Sequence, residues 1–73
     1  MKYVVQKVQA SSLTGARYVA EEFPIDAATD EEAKAAMPGI TATCDGWVQA
    51  VLVKQTGEVD GAAVMETVCV VEA

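Results

Sequence analysis

Between Thr29 and Pro38 lies the only stretch of this chain that reads clearly as a helix. Thr29-Asp30-Glu31-Glu32 has the form of a capping box, in which Thr29 caps the first turn and Glu32 reaches back to the Thr29 amide. Asp30 and Glu31 suit the positive end of the helix dipole, and Asp30 can pair with Lys34 four residues on. Ala33, Ala36 and Met37 form one narrow apolar stripe, and Pro38-Gly39 is expected to end the helix. A helix this short is unstable by itself, because nucleation costs more than a few turns return. It must lie on a sheet, and an alanine-rich face lets it come close.

The flanking segments supply that sheet. Lys2–Gln9 is β-rich and unbroken, with Tyr3, Val5 and Lys7 on one side and Val4, Gln6 and Val8 on the other. Ala10–Gly15 reads as a loop. Ala16–Ala27 has some helical spacing, at Leu13, Ala16, Ala20 and Phe23, but Pro24 would break a helix running through Ile25. A strand with room for a bulge is preferred there, with Pro24 confining it to an edge or an irregular stretch. Ile40–Cys44 reads as a short extended piece. Trp47–Gln55 is apolar on both sides and so predicts a central strand, with Trp47, Val51 and Val53 on one face and Val48, Ala50 and Leu52 on the other. Thr56–Gly61 reads as a six-residue loop, and Ala62–Val71 as the returning strand. The expected fold is α+β: a small, mostly antiparallel four-stranded sheet in β-β-α-β-β order, with one short helix on one face. The other face is expected to stay partly open and is the first place to look for a binding surface. Residues 1–73 read as one domain.

Length and charge narrow the function. A 73-residue chain buries only about 60% of the surface it exposes when unfolded. A cavity of roughly 300 Å³ or more, as a small-molecule site needs, would remove much of so small a core. The net charge is −6, which disfavours nucleic acid and anionic membranes as partners and favours a basic protein surface. No apolar run approaches the length of a membrane span, and Met1–Lys7 lacks the apolar stretch of a signal peptide, so a cytoplasmic location is expected. In that compartment Cys44 and Cys69 read as free thiols packed as small hydrophobes.

The chain has no histidine, the side chain that most often moves protons near neutral pH. Two cysteines 25 positions apart do not make a zinc site, and no phosphate-binding glycine motif is present. A non-enzymatic protein with no cofactor and no metal is therefore expected. Six acids fall within twelve residues: Glu21, Glu22, Asp26, Asp30, Glu31 and Glu32. Capping explains the last three and solvation the others, yet together they also read as an acidic surface for a basic groove. Trp47 reads as core filler beside Val51 or as an interface anchor, and Tyr18 would mark a contact site if exposed. Arg17, Lys2 and Lys7 could add charge pairs at a rim, and an open strand edge could pair with another chain.

The stretch Phe23–Met37 resembles a strand-to-helix unit common in small phage and bacterial proteins. Size, acidity and the lack of catalytic groups are similar to those of small phage-encoded regulators of the host. That resemblance implies binding to a bacterial RNA polymerase subunit and steric inhibition of initiation, or antitermination. An alternative is an anti-CRISPR type of inhibitor whose acids imitate nucleic acid, which requires Glu21, Glu22, Asp26 and Asp30 to lie on one face. A further alternative is a small thiol enzyme using Cys44 or Cys69.

Overall fold

The computed structural model describes residues 2–73. Four strands and one helix follow in the order β1 (Lys2–Ala10), β2 (Arg17–Asp26), α1 (Asp30–Thr41), β3 (Gln49–Val59) and β4 (Ala62–Glu72). The strands form one antiparallel sheet in the spatial order β2-β1-β3-β4. The fold is the expected α+β arrangement, with α1 packed on one face.

Alternation along the strands decides what the helix covers. Tyr3 and Val5 of β1, Ala50 and Leu52 of β3, and Ala27 meet Ala33 and Met37 of α1 in the main core. Phe23, Ile25, Ile40, Trp47 and Cys69 pack around it. Leu52 and Val5 are its largest fully buried side chains. Burying each contributes roughly 1.5–3 kcal/mol, which is why the sheet can hold a helix of so few turns.

Arg17–Asp26 is indeed an edge strand, and the register slip between Lys7 and Val8 leaves Ala20 as its extra residue. Pro24 opposes Val4 there without interrupting the pairing. The capping box forms: the Thr29 hydroxyl accepts from the Glu32 amide at 3.2 Å. Glu32 reaches one residue further back than expected and accepts from the Ala28 amide at 3.0 Å.

Four local expectations need correction. The helix does not stop at Pro38 but runs to Thr41. Proline removes only its own donor, the Lys34 carbonyl it orphans belongs to an exposed residue, and Ile40 gains a place against the core by continuing the turn. Ile40–Cys44 is therefore the last helical turn and its exit rather than an extended piece. Trp47 precedes β3 instead of opening it, and it packs on the helix side near Val5, Phe23 and Ala50. It shares no face with Val51 and Val53. Finally, the six-residue loop is a two-residue turn, because β3 continues to Val59. Asp60 and Gly61 both take positive φ, 52° and 81°, which is the type I′ geometry that matches strand twist. Thr56 is bulged out between Gln55 and Gly57, and this lets the polar stretch stay in the ladder.

Candidate protein-binding surface

The expected acidic surface is divided by the pleat. Glu21 and Glu22 are neighbours on β2 and so point to opposite sides. Glu21 lies on the helix side, where Lys7 donates to it at 3.4 Å. Glu22 lies on the open side and accepts from Gln6 at 3.3 Å. Asp26 opposes Lys2 on that open side. Asp30 stands at the helix start on the other side, and Glu31 is exposed on the first turn. The four acids therefore do not line up on one face.

Asp30 has a different role from the one its sequence position suggests. The buried Tyr3 hydroxyl donates to Asp30 Oδ1 at 2.6 Å. Lys54 Nζ donates to both Asp30 oxygens, at 3.2 and 3.4 Å. The phenol bond first, and Lys54 second, hold the Asp30 carboxyl below its ordinary pKa, with Lys34 acting only through its charge at longer range. In return the bond to Asp30, followed by burial and the surrounding acids, pushes the Tyr3 phenol up to about 12. A phenol held protonated in this way is a weaker acid than a free tyrosine and stays neutral well above pH 7. The trio ties β1, α1 and β3 together and already engages both Asp30 oxygens.

Arg17 and Tyr18 are exposed at the start of β2, and the Tyr18 hydroxyl donates to Gln9 Oε1 at 3.2 Å. Trp47 is half-buried with Phe23, Ile40 and Cys44, so its main work is packing. Both cysteines are free. The Cys44 thiol donates to the Ile40 carbonyl at 3.3 Å, and Cys69 Sγ lies 3.4 Å from Met37 Sδ. The space between helix and sheet around Val5, Phe23, Ile40 and Ala50 has no room for a water molecule.

The residues that stand out were not singled out by the sequence reading. Even-numbered β1 residues and their partners make up the face away from α1. Val4, Val8, Val51, Val53 and Val70 lie there. Val8 and Val53 are buried and Val4 and Val51 half-buried, whereas Val70 and Met65 are 48% and 43% exposed. Gln6, Gln49 and Thr67 are interspersed, and charge lies at the margin, at Lys2, Arg17, Glu22, Asp26 and Glu72. An apolar centre with a polar rim is the anatomy of a protein interface. Beyond Lys54 the β3–β4 hairpin continues past the end of its pairing with β1, carrying exposed Val59 and Val64 on a projecting arm. An alternation of valines with Gln and Thr was the available signal, but it needs the register to show that these valines meet on one surface.

Among the described residues, no group of three or more His, Cys, Asp or Glu is placed to hold a metal ion. No helix is long and apolar enough to cross a membrane. Comparison with protein-family models, with curated proteins and with solved structures finds no match to this chain.

Proposed function

We propose that this protein is a non-enzymatic binding module that docks another protein through its sheet. The observation that supports this most is the sheet face away from α1, where exposed Val70 and Met65 adjoin half-buried Val4 and Val51 and charge lies at the rim. In a molecule measuring 36 × 30 × 15 Å, that face is one of the two broad surfaces. A standard interface takes about 800 Å² from each partner, so docking there would occupy most of it. The resemblance to small phage-encoded regulators makes a bacterial RNA polymerase the first partner to test. The mechanism would be steric: occupying a surface that another factor needs, and so altering initiation or termination.

Affinity capture from bacterial lysate tests this, using the wild-type chain beside Val70→Lys. Val70 is half exposed on the edge strand β4, so the variant should fold while placing a charge on the exposed part of the apolar face. Polymerase subunits should be retained by the wild type and reduced at least tenfold by the variant. Capture of other proteins, lost in the same way, would reject the polymerase and keep the docking mode. Capture indifferent to Val70→Lys but lost steeply with added salt would favour the nucleic-acid mimic instead. That second reading has less support, since Glu21 and Asp30 are on the opposite side from Glu22 and Asp26 and are already engaged by Lys7, Tyr3 and Lys54.

A further inference from the structure

We infer that β4 takes up an extended segment of a partner protein as a fifth strand, with alternate side chains seated between β4 and α1. This rests on the reading of the protein as a protein-binding module and adds a second contact, at the sheet edge and on the side opposite the valine face. Three observations lead to it.

The first is the difference between the two sheet edges. β2 carries three features that discourage pairing: Pro24, the bulge at Ala20, and the charges Arg17, Glu21, Glu22 and Asp26. β4 is eleven residues long, with neither Pro nor Lys, and a bulge at Val68 is its one irregularity. An antiparallel ladder turns every second N–H and C=O of an edge strand away from its neighbour. Those of β4 therefore face outward, and an added strand is the ligand that satisfies such a row.

The second is a groove beside that edge. α1 packs mainly over β1, β2 and β3; of β4 the core takes in only Val68 and Cys69, and Val71 beside them stays exposed. Met37, Pro38 and Thr41 of α1, with Cys69 and Val71 of β4, line an open apolar groove of about 360 Å³, and Lys34 stands at its border. A strand laid along β4 would direct every second side chain into it, since strand side chains alternate. Edge and groove together provide backbone affinity and side-chain selectivity in one place.

The third is charge. β4 carries Glu66 and Glu72 and no cation, on a chain of net charge −6. A second copy pairing through β4 would bring glutamates towards glutamates and two anionic molecules together. A foreign segment with apolar residues at alternate positions and Lys or Arg beside them is complementary on both counts.

Val70 and Val71 provide the test, because they are adjacent on β4 and face opposite sides. Val71 lines the groove and is 42% exposed, so Val71→Lys obstructs the groove without opening the core. The immobilised full chain is panned against displayed random dodecapeptides. Enriched peptides should alternate apolar residues and carry Lys or Arg. Their affinity should fall at least tenfold with Val71→Lys and less than threefold with Val70→Lys. Hydrogen exchange of β4 amides should slow at least tenfold when peptide is bound. Peptides indifferent to Val71→Lys, or that leave β4 exchange unchanged, overturn strand addition. So does a dimer of the free chain at micromolar concentration that Val71→Lys dissolves, since the occupant is then a second copy. If no peptide is enriched while a lysate protein is captured and lost with Val70→Lys, strand addition fails and face docking stands. If neither peptide nor protein is captured, both fail.

Discussion

Tyr3, Asp30 and Lys54 show how three distant residues come to depend on one another. They are 24 and 27 positions apart across β1, α1 and β3, so local spacing pairs Asp30 with Lys34 instead. Their linkage fixes the sign of the pH response. Asp30 is held below its unfolded pKa, so its contribution is present above about pH 4 and is lost as pH falls through the folded value. Tyr3 is raised from 10.0 to about 12, so its contribution is present below pH 10 and disappears as pH rises towards 12. Thermal unfolding followed across pH should therefore show an alkaline loss between about pH 10 and 12 in the wild type. Tyr3→Phe should lower stability at pH 7 and remove that alkaline step. An unchanged alkaline profile in Tyr3→Phe would assign the step to other groups.

The elements differ in how openly their sequences announce them. The start of α1 is legible because capping is local chemistry: a hydroxyl and a carboxylate within five residues satisfy the first amides. Thr29→Ala should cost about 1 kcal/mol in urea unfolding, with no change in m-value. The end of α1 is not legible, because Ile40 packing against the core outweighs the local preference of Pro38-Gly39. The β3–β4 turn is legible in part. Asp60-Gly61 is itself a two-residue hairpin signal, but the surrounding Thr56, Gly57 and Glu58 suggest a wider loop. Gly61 is at φ 81°, a region strained for any side chain, although nothing crowds its missing Cβ. Gly61→Ala should therefore destabilise by about 1 kcal/mol through the backbone alone. A variant as stable as wild type would argue against the type I′ turn.

At the scale of the whole molecule, one helix on one side of a four-stranded sheet leaves a small core and a large apolar surface. Stability for a chain of this size is on the order of 5 kcal/mol. Leu52 is fully buried at the centre of the core, where β3 meets α1. Leu52→Ala should cost about 2–5 kcal/mol and leave much of the protein unfolded at 37 °C, as circular dichroism would show. The contrast with Val70→Lys is the useful one. Both residues are apolar and belong to adjoining strands, yet Val70→Lys should leave thermal stability within about 0.5 kcal/mol of wild type. Its effect should appear in binding instead.

The sequence by itself determined the order of the elements, the helix start and the central place of β3, and it favoured at β2 a strand held to an edge or an irregular stretch. Each follows from period, breakers or capping, which act over a few residues. Tertiary structure decided which face every side chain meets. A strand's side chains alternate, so a register set by distant partners separates Glu21 from Glu22 and gathers valines from β1, β3 and β4 onto one surface. No neighbour in the chain carries that information.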